Sequence, residues 1–225
     1  MTDDGAKERG AAPVSWKAIG LLAIPAMLVV APTDALLMQA FGVEAYEADG
    51  PSMQPTLLHG DRFIVDRGAY GLRLPGVEGP LVSWSSPSPG EVLVIRSPMD
   101  GIDIVKRVVA VGGDEIEIRD DEVYVNGRSL TRQPYQTHGD DRTAVESVGA
   151  RVWSVTVSSL TPPHRFGPVT VGAGHVFVLG DHRDRSNDSR NIGEIPFENI
   201  IGRAVGLYWS SADEVRTERI GLVLP

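Results

Sequence analysis

The chain has 225 residues and no cysteine, and 42% of its residues are hydrophobic, which suits one domain of moderate size or one domain with an anchor. The formal net charge of −9 argues against a nucleic-acid partner, because such partners are bound chiefly by Lys and Arg side chains that neutralise phosphates. The absence of cysteine excludes thiol nucleophiles, thiolate metal sites and disulfide bonds.

The first predicted element is an apolar segment near the N-terminus. Residues 18–33 carry no charge, and as a helix they would span about 24 Å, which is short for a hydrocarbon core of about 30 Å. Trp16 as an interfacial aromatic residue and Lys17 with its amine reaching the headgroups extend the helix to the needed length. We therefore predict a single transmembrane helix over residues 14–37, preceded by a tail over residues 1–13. A cleaved signal peptide and a buried or surface helix remain open as alternatives.

The charges around this segment indicate the side of the membrane that each part of the chain occupies. The orientation of a transmembrane helix is set mainly by Lys and Arg, which favour the cytoplasmic side. Here the segment is followed by the acidic residues Asp34, Glu44, Glu47 and Asp49. We expect the tail in the cytoplasm and residues 38–225 on the extracytoplasmic face of the lipid bilayer.

Beyond residue 60 the chain is predicted to be mostly β. Short apolar or alternating runs are separated by Gly, Pro and Asp, as in an antiparallel sheet, and no stretch has sustained helical periodicity. Asn126-Gly127 is a strong hairpin signal, because both central residues of that turn need positive φ. The predicted strands are Arg62–Val65, Glu91–Ile95, Ile102–Val105, Arg107–Val111, Glu115–Ile118, Glu122–Val125 and Val176–Leu179.

Two stretches between the predicted strands are rich in loop residues. They cover residues 75–89 and 131–174. The second is long enough to form an inserted variable lobe or cap of its own.

A short loop at the start of the β-rich part contains a candidate nucleophile, Ser52. Pro51 and Pro55 stiffen the backbone on both sides of it. A loop serine alone is weak evidence, because most such residues cap helices or close turns. A serine hydroxyl also needs a base within hydrogen-bond reach to become a good nucleophile.

Lys106 is the candidate base. It is the only lysine after Lys17, and it lies in an apolar run that reads as a buried strand. Burial disfavours the ammonium form, so it lowers the pKa of a lysine and yields a neutral amine. Strand alternation places Arg107 on the opposite face, where it would meet solvent or a carboxylate. The competing interpretation is an edge-strand lysine that prevents aggregation.

The histidines offer no obvious base, although a Ser-His-Asp triad is recognised by geometry and stays open. No ligand spacing typical of a zinc site is present, so we expect no metal. The motifs do not require a cofactor either. The stretch 180–190 is rich in side chains that can form ion pairs and hydrogen bonds with backbone groups. By itself it would read as a solvated loop.

Three segments considered together resemble the signature boxes of type I signal peptidases, the serine proteases with a Ser/Lys dyad, in both order and spacing. The resemblance implies a bacterial inner-membrane endopeptidase that removes signal peptides from exported preproteins after small side chains. The segments are Gly50–Leu57, Lys106–Asp114 and Gly180–Arg190.

The resemblance also implies a role for each matching residue. Ser52 would attack the scissile carbonyl, and neutral Lys106 would take its proton. Ser186 matches the serine that orients the lysine. The other matches are implied to support the site: Met53, Asp181, Arg183 and an ion pair of Asp188 with Arg190.

Two positions depart from the usual pattern of this family. Gly50 stands where many members have a serine that donates to the oxyanion, so backbone N–H groups would have to replace it. His182 replaces a more usual asparagine.

Other functions remain possible at this stage. A LexA-type self-cleaving repressor shares the serine box but needs an N-terminal helix-turn-helix, where this chain has an apolar segment. A maturation protease of a conjugation or pilus system would have a narrower substrate. An inactive membrane-tethered β-domain scaffold is disfavoured by the intact Ser52, Lys106 and Ser186. We expect a monomer.

Overall fold

The structure is a computed structural model that describes residues 42–72, 80–211 and 215–224. Among these residues, no helix is long and apolar enough to cross a membrane. The predicted tail over residues 1–13 and the predicted anchor over residues 14–37 lie outside the described residues.

Strands dominate the described part of the chain, and every pairing between named strands is antiparallel, which confirms the predicted mostly β, antiparallel character of the catalytic domain. The helical elements are short: α1 (Ser189–Ile192) and three 3₁₀ turns at Arg183–Arg185, Phe197–Asn199 and Thr217–Arg219. The strands are β1 (Val43–Glu47), β2 (Asp61–Asp66), β3 (Gly71–Leu72), β4 (Val82–Ser83), β5 (Val92–Arg96), β6 (Asp103–Val111), β7 (Glu115–Arg119), β8 (Glu122–Val125), β9 (Arg128–Ser129), β10 (Thr131–His138), β11 (Asp141–Val148), β12 (Arg151–Ser158), β13 (Phe166–Thr170), β14 (His175–Leu179), β15 (Ile195–Pro196) and β16 (Ile200–Ser210).

The largest sheet has seven strands in the order β1-β2-β16-β5-β6-β14-β15. Its centre is covered on both faces, because Val92 and Val94 of β5 enter one hydrophobic cluster while Leu93 and Ile95 enter another. Strand β6, which carries Lys106, lies between β5 and β14. It is an interior strand, and this rules out the interpretation of Lys106 as an edge-strand lysine.

The expected loop-rich character of residues 131–174 is wrong. Strands β10, β11 and β12 form a three-stranded antiparallel sheet, and β13 joins a second sheet in the order β13-β7-β8-β9. Strand β10 is not evident from the sequence because it is exposed along most of its length and contains few apolar residues, whereas the alternation of Trp153, Val155 and Val157 is a signal for β12. We call β10 to β12, residues 131–158, the lobe. Its residues Trp153 and Val155 share a core cluster with Val109 of β6 and Leu179 of β14.

Two local predictions can be compared directly with the structure. The predicted strands Ile102–Val105 and Arg107–Val111 are one continuous strand, β6. The turn between β8 and β9 is confirmed, with φ of 51° at Asn126 and 73° at Gly127.

Candidate active site

The loop that carries Ser52 is held in place by its buried neighbours. Met53 and Leu57 are buried in the cluster that also contains Phe63 and Val65 of β2. Inside the loop, the Gln54 N–H donates to the Pro51 carbonyl at 3.0 Å and the Leu57 N–H donates to the Met53 carbonyl at 2.9 Å. Ser52 is therefore presented on a compact turn whose next side chain is anchored in the core.

Lys106 and Ser52 are brought together by this arrangement. The Nζ atom of Lys106 lies 3.0 Å from the Oγ atom of Ser52 and 2.8 Å from the carbonyl oxygen of Val105. Lys106 is 3% exposed. Burial lowers the pKa of Lys106 to about 8, although the carboxylates of Asp188 and Asp181 act in the opposite direction. An amine of this kind can be neutral at moderate pH and can accept the hydroxyl proton.

A cavity of about 260 Å³ opens beside the two side chains. Its walls combine apolar side chains, among them Phe63 and Ile104, with the acidic residues Glu47, Asp49 and Asp103. The hydroxyl of Tyr46 lines it as well and donates to the Asp103 carboxylate at 3.3 Å. The cavity can hold apolar side chains of a ligand close to Ser52.

The segment from Gly180 to Arg190 lies against the serine loop. A Cβ atom at Gly180 would stand 2.3 Å from Ser186 Oγ and 2.5 Å from the Ser52 carbonyl oxygen, so only glycine permits this close approach. The His182 N–H donates to the Ser52 carbonyl at 3.1 Å. Ser186 Oγ is buried and has no hydrogen-bond partner among the described residues, so its implied bond to Lys106 is not formed here.

Buried ion pairs surround this segment. Arg107 is 0% exposed, and its guanidinium donates to both oxygens of Asp181, at 2.8 and 2.7 Å. The expected pairing of Arg190 with Asp188 is present at 2.8 Å, and Asp188 also accepts from the Gly180 N–H at 2.9 Å. Arg107 was expected to meet either solvent or a carboxylate, and the structure shows the carboxylate of Asp181.

Sequence reasoning missed two supports of the site. Thr56 Oγ1 donates to Asp181 at 2.5 Å and ties the serine loop to the same carboxylate that holds Arg107. Arg183 donates to Glu146 of the lobe at 2.5 Å, and both side chains are almost fully buried. Thr56 follows a proline in the serine box and reads as a turn residue. Glu146 lies in a polar stretch, where no local signal distinguishes it from a surface carboxylate.

No histidine of the described residues forms a hydrogen bond to the Ser52 hydroxyl. His59 is exposed, lies 3.3 Å from Asp49 and accepts from the Gly50 N–H at 3.4 Å. His182 is buried, burial lowers its pKa, and neither ring nitrogen has a partner among the described residues. The geometry therefore favours the lysine over a histidine as the base for Ser52.

Comparison with known proteins identifies relatives along most of the chain. The family described as "Signal peptidase, peptidase S26" matches residues 16–209. Signal peptidase I of Pseudomonas fluorescens is 31% identical over 84% of this chain and 74% of the relative, and signal peptidase I of Bacillus licheniformis is 32% identical over 78% and 81%. A crystal structure of signal peptidase I from Enterococcus faecalis V583 is 26% identical, with a TM-score of 0.36 over 54% of this chain and 98% of that one. The extent of the family match and the identities to the Pseudomonas fluorescens and Bacillus licheniformis enzymes mean that the chain belongs to the signal peptidase family, peptidase S26.

Proposed function

We propose that this protein is a serine endopeptidase that removes N-terminal signal peptides from exported preproteins, with Ser52 as nucleophile and Lys106 as general base. The observation that carries the proposal is the 3.0 Å contact between Ser52 Oγ and the Nζ of a lysine that is 3% exposed. The family match supports the reaction and the class of substrate.

The reaction begins with the lysine in its neutral form. With a pKa of about 8, roughly one tenth of the Lys106 side chains are neutral at pH 7, against fewer than one in a thousand for an ordinary lysine. The neutral amine takes the proton of the Ser52 hydroxyl while Oγ attacks the carbonyl carbon of the small residue that precedes the cleavage point. The ammonium of Lys106 then returns this proton to the leaving amine, so that the acyl-enzyme retains a neutral lysine.

The second half of the reaction repeats the same proton transfers with water. Lys106 accepts a proton from water, the resulting hydroxide attacks the ester carbonyl, and the proton then passes to Ser52 Oγ as the C–O bond breaks. The oxyanion of each tetrahedral intermediate needs donors, and Gly50 offers no side chain. Backbone N–H groups of Ser52 and near Gly50 are therefore proposed as the donors.

The cavity beside the dyad supports a role in substrate binding. The apolar part of its mixed lining, which includes Phe63 and Ile104, suits small uncharged side chains next to the scissile bond. Ser186 is proposed to orient Lys106 after a rotation of its side chain about χ1, because its Oγ is buried beside Gly180 and holds no competing bond. Met53, Asp181, Arg183, Asp188 and Arg190 are proposed as structural supports.

The membrane arrangement is likewise part of the proposal. An anchor at residues 14–37 would hold residues 38–225 on the extracytoplasmic face of the bacterial inner membrane, where preproteins emerge, with residues 1–13 in the cytoplasm. The uncharged run 18–33 supports it. We propose a monomer that needs no cofactor. A maturation protease with one narrow substrate is the alternative, and cleavage of a panel of exported precursors separates the two.

The dyad is tested by incubating the detergent-solubilised full chain with a preprotein. Ser52→Ala and Lys106→Met should each lower kcat by about 10⁴-fold or more, since members of a catalytic unit act together. Ser129→Ala, at an exposed strand position, is the matched control and should retain activity. Cleavage that persists in either dyad variant would reject the assignment.

The base is tested by the pH dependence of kcat/KM. Because only the neutral amine accepts the proton, the rate should rise with pH and level off above a midpoint near 8. A profile that keeps rising to about 10.4, the value of a free lysine, contradicts a buried amine as base.

A further inference from the structure

The lobe packs directly against the part of the molecule that carries the dyad. Glu146 of β11 is 0% exposed and Trp153 of β12 is 5% exposed. Trp153 contacts Arg107, the sequence neighbour of Lys106, and Glu146 contacts Arg183, which in turn binds the residue packed against the serine loop, Gly180. Two contact routes lead from the lobe to the site.

The first route leads from Glu146 to the segment that follows β14. Glu146 Oε2 accepts from Arg183 Nη2 at 2.5 Å and from Trp153 Nε1 at 3.1 Å. Arg183 in turn donates from Nε to the carbonyl of Gly180 at 3.2 Å. Gly180 is the residue that packs against the Ser52 carbonyl, so Glu146 fixes that contact through one intermediate residue.

The second route leads from Trp153 to β6. The guanidinium of Arg107 lies over the Trp153 ring, 4.9 Å from its centroid. Arg107 directly follows Lys106, and its position on one face of β6 constrains the direction of the lysine on the other face. Thr156, which also belongs to β12, donates its backbone N–H to the backbone carbonyl of Asp181 at 2.8 Å. This bond holds Asp181, whose carboxylate is the partner of Arg107, in place.

We propose that Glu146 and Trp153 are positioning residues for the Ser52/Lys106 dyad, and that the lobe holds the dyad in its reactive geometry. The inference rests on the proposed function. Because interiors are closely packed, a shift of Arg107 or of Gly180 must displace one partner of the 3.0 Å contact. We expect that loss of the lobe contacts also lets water approach the lysine.

The experiment compares Glu146→Gln, Trp153→Leu and Trp153→Phe in the full chain. Displacement of reacting groups by about 1 Å can lower a rate by roughly 100-fold, so Glu146→Gln and Trp153→Leu should lower kcat by about 10- to 100-fold with little change in KM. Trp153→Phe keeps an aromatic face for Arg107 and should recover part of the loss. Val152→Ala is the matched control, because Val152 is the neighbouring residue of β12 and is 42% exposed.

A second readout does not depend on catalysis. The sequence has three lysines, Lys7, Lys17 and Lys106, so ¹⁵N-lysine labelling gives few Nζ signals and allows the pKa of Lys106 to be measured by NMR. We expect the pKa to rise from about 8 towards the ordinary value in Glu146→Gln and Trp153→Leu, because burial is its main cause, and to stay unchanged in Val152→Ala.

The outcomes separate the possible failures. If kcat and the Lys106 pKa of the folded variants match those of the wild type, or if activity falls only in proportion to the unfolded fraction, the positioning role is rejected. If Glu146→Gln does not fold, the Trp153 pair decides alone. A wild-type protein without Ser52-dependent cleavage would instead refute the proposed function, while the NMR measurement would still test the coupling.

Discussion

Two adjacent residues of β6, Lys106 and Arg107, have buried basic side chains with opposite surroundings. On one face, Arg107 meets both oxygens of Asp181, the carbonyl of Gly90 at 2.7 Å and the ring of Trp153. On the other face, Lys106 meets one hydroxyl and one carbonyl, and no carboxylate of the described residues lies within ion-pair distance. A paired buried charge makes the fold depend on its partner, whereas a buried lysine without a carboxylate partner loses its proton more readily and supplies a reactive neutral amine.

The choice of residue type at each position follows from this difference. A guanidinium stays protonated at any accessible pH and binds a carboxylate with two parallel hydrogen bonds, so it suits the permanent pair with Asp181. An ammonium can lose its proton when water is withdrawn. Exchanging the two types would leave Arg at position 106 without a base function and Lys at position 107 with only part of the bonds of Arg107.

The largest effect is expected from breaking the compensated pair. Arg107→Met leaves the Asp181 carboxylate buried without its main partner, and this should lower the free energy of unfolding by about 3–5 kcal/mol. Urea denaturation at pH 7 measures the change, with Arg107→Lys as the variant that keeps the charge but loses the second hydrogen bond. A loss below about 1 kcal/mol in Arg107→Met would remove the contrast between the two faces.

A smaller effect of the opposite sign is expected at the neighbouring residue. The pKa of Lys106 is lowered in the folded protein from 10.5 to about 8, so its protonation opposes folding below about pH 8. Lys106→Met removes this penalty and should raise the free energy of unfolding at pH 7 by up to about 3 kcal/mol while abolishing cleavage.

The gain in Lys106→Met should depend on pH in a defined direction. The wild type becomes more stable between about pH 8 and pH 10.5, because in that range the unfolded chain binds the proton and the folded chain does not. The difference between variant and wild type should therefore shrink across this range. A difference that is independent of pH would show that packing and not ionisation is responsible.

Much of this arrangement could be predicted from the sequence because its signals are local. Apolar β-branched runs fix strands such as β5 and β6, and Asn126-Gly127 fixes a turn by its backbone requirement. Lys106 stood out because it interrupts an apolar run. The need of Ser52 for a base pointed to Lys106, the resemblance of the three boxes supported the same pair, and the two side chains lie 3.0 Å apart in the structure.

The rest could not be predicted, because it depends on contacts between distant segments. The partners Glu146 and Arg183 are separated by 37 residues and lie in polar stretches that read as solvated. Strand β10 was missed for a different reason, since it is exposed along most of its length and has no apolar alternation, whereas β12 does carry a signal in the alternating buried residues Trp153, Val155 and Val157. The position of Ser186 Oγ, buried beside Gly180 without a bond, likewise depends on a close approach that residue types alone do not specify.

The smallest effect is expected at a surface copy of the Arg107 contacts. Arg119 of β7 also pairs with a carboxylate, that of Glu117, and also lies over an aromatic ring, 4.7 Å from the centroid of Tyr124. Its side chain is 55% exposed, so water can replace each lost contact. Arg119→Met should leave the urea midpoint and the cleavage rate unchanged. If it destabilises the protein as much as Arg107→Met does, contact type and not burial determines the contribution of a paired arginine, and the difference between the two faces of β6 needs another cause.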